Sequence, residues 1–292
     1  MAGALQSVEI ARLYREACLA ELAALKPGNV HVFAAGHGMT VADFEASATI
    51  SAEPLAHAGA PVGERVLAAV EATVARLGMN TNLGILLLTA PIAAAAERPG
   101  DLRANLTATL DGLDVADAAK VYAAIRRASP GGLGRSENHD VAEPPRVTLR
   151  EAMAAAAGRD RIARAYVTGF EDLFAIGLPA LRGAEGRGLA EPWTVTAVYL
   201  AFLAAVPDSH IARKFGPETA ERIRARAATI TAGSELGPAS RDALLAFDAE
   251  LKGEGVNPGT SADFTVATVF LNAVAVERKI GAECLAGGRR PG

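Results

Sequence analysis

The chain has 292 residues, half of them hydrophobic, and its 29 Lys and Arg face 33 Asp and Glu, a formal net charge of −4. That balance excludes a disordered chain and a basic nucleic-acid binder. A folded chain of this size buries roughly 75% of the surface its unfolded form exposes, so a large core needs no disulfide or structural metal.

Alanine dominates, β-branched runs are short and apolar residues recur three and four apart, which predicts an all-α protein. Met1–Ser7 has neither the basic nor the apolar region of a secretory signal. Ile10, Leu13, Tyr14 and Ala17 stripe a first helix that must stop at Lys26-Pro27-Gly28. Cys18 within it and the distant Cys284 lack zinc-site or disulfide spacing, and a reducing cytoplasm fits them. Thr40 and Asp43 have capping-box spacing for a helix to about Ala56, and Pro61 to Leu77 reads as the next. Asn80-Thr81-Asn82 caps an apolar segment that Pro91 kinks or divides. The apolar run Ile85–Ala96 is short of the roughly 20 residues that span a membrane, so a soluble protein is expected.

Asp114 caps a helix through Arg127, and Thr148 with Glu151 opens another expected to run past Gly158 to Phe174. Val30–Phe33 and Arg146-Val147 are candidate extended pieces. Further helices are predicted over Trp193–Ala205, Pro217–Ile230, Ala239–Lys252 and Ser261–Glu283. Lengths and linkers vary too much for a solenoid, so residues 1–285 read as one compact multi-helix domain and 286–292 as a disordered tail. Apolar helix faces would serve a homo-oligomer interface as well as a core.

Polar residues gather at five junctions. At the first, Lys26-Pro27-Gly28-Asn29 with Gly36-His37-Gly38, Lys26 would neutralise a phosphate while glycine admits close backbone approach; a helix C-cap and turn explain the same residues. At the second, Asn80-Thr81-Asn82 exceeds what a single N-cap needs. The third, Pro130-Gly131-Gly132-Leu133-Gly134 through His139 and Asp140, is glycine-rich without a dinucleotide or P-loop signature. The fourth runs from Asp208-Ser209-His210 to Arg213-Lys214, where a carboxylate beside two cations suits a metal–phosphate ligand or a charged helix end. The fifth is Asn257-Pro258-Gly259-Thr260-Ser261-Ala262-Asp263, rich in anion-facing donors, although Asp263 also fits position N3 of a capping box opened by Thr260.

In this order the pieces Lys26–Val30, Gly36-His37 with Phe44 and Ser47, Asn80-Thr81 with Gly84, Asp208 with Arg213 and Gly216, and Pro258-Gly259 with Ser261–Asp263 resemble the triphosphoribosyl-dephospho-CoA synthase family. The resemblance implies a reaction in which ATP loses adenine and its triphosphoribosyl group passes to a hydroxyl of dephospho-CoA. It assigns Mg²⁺ to Asp208 and Asp263, and phosphate to Lys26, Arg213 and Lys214. Gly28, Thr81, Gly259 and Ser261 join them as binding residues, with Asn29, Asn80, Asn82 and Asn257 orienting substrate. Proton transfer falls to His37, His139 or His210. Where the family's central motif reads Asn-Thr-His-Lys-Gly, this chain has Asn82-Leu83, which resembles a divergent branch found in archaea and one-carbon-oxidising bacteria. That branch implies an alternative, synthesis of a one-carbon carrier such as tetrahydromethanopterin or methanofuran; a third reading is a non-catalytic helical binding protein. All of them expect a small-molecule partner and a single polar pocket where the junctions meet.

Overall fold

The computed structural model describes residues 3–33, 40–129, 139–233 and 236–287, with residues 233 and 281–287 as backbone alone. Among them are fourteen α-helices: α1 Ser7–Ala23, α2 Val41–Leu55, α3 Val62–Leu77, α4 Leu83–Ala96, α5 Leu102–Asp111, α6 Val115–Ala128, α7 Leu149–Ala156, α8 Arg161–Thr168, α9 Leu178–Gly186, α10 Trp193–Ala205, α11 Ser209–Phe215, α12 Pro217–Gly233, α13 Arg241–Gly253 and α14 Gly259–Gly287. A π-helical segment, Leu173–Gly177, leads into α9. The described residues contain no strand, so both candidate extended pieces are loop, with a single bridge residue at His31.

The helix α4 is apolar all round and is therefore buried, packed by α3, α5, α8 and α14. Pro91 lies inside it without dividing it. Proline removes the N–H that would have met the Leu87 carbonyl. The Tyr166 hydroxyl of α8 donates to that carbonyl at 2.6 Å, replacing the missing bond. The helix α14 is long and apolar enough over Gly259–Ile280 to cross a membrane, yet most of that stretch is buried against α1, α4 and α10.

Capping decides most boundaries. Thr40 and Asp43, and Thr148 and Glu151, form the expected reciprocal pairs. The helix expected from Thr148 to Phe174 is in fact broken: α7 ends at Ala156, Asp160 caps a new helix by accepting from the Ala163 N–H, and Gly169 ends α8 in the left-handed region at φ 66°. The helices α5, capped by Asp101, α9 and the seven-residue α11 are additional to the predicted set. The last helix starts at Gly259, two residues earlier than predicted, and continues to Gly287.

Two cores result. The larger draws on α1–α6, α8 and α14, and includes Tyr14, Leu86, Ile92 and Phe270. The smaller lies among α10–α13, with Tyr199, Ile211, Ile223, Phe247 and Leu251. The Lys26–His31 segment passes between them and is pinned along its length. Thr196 Oγ1 accepts from Leu25 N, Tyr199 OH donates to the Pro27 carbonyl at 2.6 Å, and Asp248 accepts from Gly28 N at 2.8 Å.

Candidate active site

The first turns of α4, α8, α11 and α14 all open on one cavity of about 1150 Å³. Its polar wall carries Asn29, Asn80, Thr81, Asn257, Thr260 and Asp263, its cationic wall Arg159, Arg213 and Lys214, and its apolar wall Val121, Ile125, Leu149, Met153 and Ile162. Stretches from α1 to α14 thus meet in one space.

Local sequence explains each wall. Asn80, rather than Asn82, caps α4, its Oδ1 accepting from the N–H groups of Asn82 at 3.3 Å and Leu83 at 3.0 Å. Asn82 is buried, donates to Ser51 Oγ at 3.1 Å, and leaves its Oδ1 with no hydrogen bond among the described residues. Thr81 is held by Ser47 at 2.6 Å. Leu83 and Gly84 reach the wall directly.

Asp208 does not line the cavity. One carboxylate oxygen accepts from the N–H groups of His210 and Ile211 at 2.9 and 3.1 Å, the other from the N–H and hydroxyl of Ser261, both at 2.8 Å. It joins the start of α11 to that of α14, and the same bonds occupy Ser261. Burial raises its carboxyl above the usual range against the pull of these donors. Thr260 turns its hydroxyl to Ser209 Oγ at 3.0 Å and receives the His210 N–H at 3.1 Å. Because α14 begins at Gly259, Thr260 is no cap, and Asp263 is released from the capping role.

Asp263 is partly exposed at the wall, and among the described residues none donates to its carboxylate. It sits over Gly84, where a Cβ would lie 2.1 Å from its Oδ2. Burial, then the like charges of Asp208, Glu21 and Asp160, push this carboxyl well above its ordinary range, with Arg213 opposing. The two carboxylates expected to hold Mg²⁺ are thus differently placed: Asp208 is occupied by four donors away from the cavity, Asp263 lines it, and the described residues contain no group of three His, Cys, Asp or Glu able to take a metal.

Lys26 is buried and turned inward, away from the position expected for a phosphate ligand. Its ammonium donates to Glu21 and, at 3.1 Å, to Asn29, which in turn donates to Asn257 at 2.8 Å. Burial lowers the Lys26 pKa and raises that of Glu21, their mutual attraction opposing both shifts. Gly28, at φ 82°, lies against Leu251 and Pro258 rather than at the cavity. Of the three cations expected to meet phosphate, two do reach it: Arg213, whose Nη1 is 3.7 Å from Asp160 and whose Nη2 is 3.3 Å from His210 Nδ1, and the exposed Lys214. The Nε of Arg213 is buried with no hydrogen bond among the described residues. His139 and His210 line the cavity, as does Gly259; His37 lies outside the described residues.

Glu21, Arg159, Asp160 and Arg161 escape the sequence reading as wall residues. Asp160 alone carried a local signal, a cap residue two positions beyond Gly158.

A family model described as ATP:dephospho-CoA triphosphoribosyl transferase matches residues 7–281. The chain belongs to this transferase family. A 2-(5''-triphosphoribosyl)-3'-dephosphocoenzyme-A synthase of Klebsiella pneumoniae is 29% identical to this member over 108 residues, 37% of this chain. The match spans 39% of that curated relative's length. A crystal structure from Archaeoglobus fulgidus, provisionally named a triphosphoribosyl-dephospho-CoA synthase, aligns at TM-score 0.61 and 26% identity over 77% of this chain and 96% of that one. The transferase family and its fold are thus met along nearly all of the helical part of the chain.

Proposed function

We propose that the chain breaks the bond between C1′ and N9 of ATP and moves the triphosphoribosyl group to a hydroxyl of dephospho-CoA, releasing adenine. The observation that carries this reading is the single cavity whose lining combines four helix starts and several cations with an apolar set. A triphosphate suits the first turns of α4 and α14 beside Arg213 and Lys214, where the positive ends of the helix dipoles and the guanidinium favour anions. Asn29, Asn80 and Asn257 both donate and accept, and would orient ribose hydroxyls. An uncharged part of either substrate suits the wall of Val121, Leu149 and Met153. Mg²⁺ brought in with the triphosphate would neutralise part of its charge. We place the reaction in the cytoplasm, in keeping with thiols such as the buried Cys18, which is unpaired.

The test is direct. Protein incubated with ATP, dephospho-CoA and Mg²⁺ is expected to release adenine and to add a triphosphoribosyl mass to the acceptor; no adenine under any condition overturns the reading.

Leu83 favours a second reading, in which the acceptor is a phosphorylated precursor of a one-carbon carrier. A leucine at the wall of the α4 start neither neutralises phosphate nor moves a proton, so one acceptor-side charge is missing at the centre of the site. Transfer to a pterin or furan intermediate, with none to dephospho-CoA, would establish that alternative.

A further inference from the structure

We propose that Asp263 is the acid that protonates the departing adenine, an assignment that rests on the transferase reading above. Four carboxyl side chains line the cavity: Glu21, Asp140, Asp160 and Asp263. Glu21 is paired with Lys26, Asp140 accepts from the Ala142 N–H at 2.8 Å, and Asp160 caps α8 and faces Arg213. Asp263 is the one to which, among the described residues, nothing donates.

The nearest charged groups each have another partner. Lys26 is neutralised by Glu21, Arg213 faces Asp160, and Asp208 is held by four donors. Asp263 has no donor of its own among the described residues, and a carboxyl crowded by like charges favours its protonated form. A bound triphosphate would add negative charge and strengthen that preference. A neutral carboxylic acid facing a reaction space is a hydrogen-bond donor with a proton to give. Gly84 is part of the device, because any side chain there would occupy the place of Oδ2.

The step balances. As the bond between C1′ and N9 breaks, its electron pair leaves with adenine, and an adenine ring nitrogen takes the Asp263 proton. The acceptor oxygen forms its bond to C1′, and the hydroxyl proton returns the Asp263 carboxylate to its acid form. No oxidant or reductant is involved.

The experiment compares two donors, ATP and a ribose triphosphate carrying 4-nitrophenolate at C1′, a leaving group that needs no proton. Asp263→Asn is expected to lower kcat with ATP by about 10²–10⁴-fold with little change in KM, the usual range for loss of a general acid. The 4-nitrophenyl donor should be turned over within about threefold of wild type, since that step never used the acid. Gly84→Ala, which keeps Asp263 in the chain but evicts its carboxyl, should give the same split and guards against a folding defect in the first variant. Equal loss on both donors overturns the assignment in favour of a structural role. A raised Mg²⁺ requirement on both donors overturns it in favour of metal binding. Wild-type protein inert to both donors overturns the transferase reading itself, and the role of Asp263 falls with it.

Discussion

Asp208 places each carboxylate oxygen between two donors, whereas Asp263, on the first turns of α14, receives none from the described residues. The difference follows from where α14 begins. With Gly259 as its first residue, the N–H of Ser261 is a free first-turn donor that Asp208 collects from the neighbouring junction, and Asp263 falls beyond the reach of a cap. Asp208→Ala would leave the N–H groups of Ile211 and Ser261 unmet, while that of His210 keeps Thr260 Oγ1 as its acceptor. We expect it to cost about 3 kcal/mol of unfolding free energy, read from the denaturant midpoint, since each lost bond to a charged group is worth about 1.5–3 kcal/mol before relaxation. Asp208→Asn, which keeps one acceptor oxygen, should lose clearly less. Loss of function in Asp208→Ala would therefore report on the frame of the site and not on its chemistry. Gly28 makes a second case: at φ 82° its Cβ would lie 2.9 Å from Leu251 Cδ1 and from Pro258 Cδ. Gly28→Ala should lower stability by about 2 kcal/mol, the left-handed penalty plus the collision, and a change within about 0.5 kcal/mol would contradict that packing.

At the scale of elements, helix identity was legible in the sequence wherever a cap and an apolar stripe coincided, as for α2 and α6. Continuity was not. The run from Thr148 to Phe174 keeps a helical stripe across Gly158–Asp160, and only the bond from Asp160 to the Ala163 N–H reveals a new start. The junctions were legible as a set, because surplus Asn, Gly and His at helix ends exceeds what capping consumes. Their individual roles were not, because hydrogen-bond partners come from other elements: Lys26 reads as a phosphate ligand until Glu21 takes its charge. Pro91 was read as a break for the same reason, its compensation lying 75 residues away in Tyr166. A double-mutant cycle isolates that compensation. Tyr166→Phe alone should cost about 1–2 kcal/mol by stranding the Leu87 carbonyl. In a Pro91→Ala background, where the helix supplies its own N–H, the same change should cost at least about 0.5 kcal/mol less. Additive effects would mean that the two residues are uncoupled.

At the scale of the whole molecule, the two cores are held together in part by a buried cluster outside the cavity. His31 accepts from the Phe33 N–H at its Nδ1, 3.2 Å away, which assigns the ring proton to Nε2, 3.3 Å from Asp248 Oδ1. Lys252 meets the other Asp248 oxygen at 3.0 Å. Burial lowers the His31 pKa below 6.5, Asp248 opposing and Lys252 and Lys26 adding to the shift, so the folded state holds a neutral ring. Asp248 is depressed below 3.8: its hydrogen bonds from His31, Lys252 and the Gly28 N–H outweigh its own burial. The signs agree. Below 6.5 the unfolded chain takes up the His31 proton before the folded chain does, so stability rises with pH through that window and is lost as pH falls toward the folded pKa. The contribution of Asp248 is complete above 3.8 and is lost only below it. Other groups titrate as well, and Glu21, Asp208 and Asp263, all raised, favour the folded state on acidification. The informative quantity is therefore a difference. Between about pH 7 and pH 5, spanning the ordinary imidazole range, wild type should lose more unfolding free energy than His31→Gln, whose side chain carries no titrating group. Denaturant melts of both proteins at the two pH values measure it. Parallel losses would mean that His31 does not couple the Lys26–His31 segment to α13 through its neutral form.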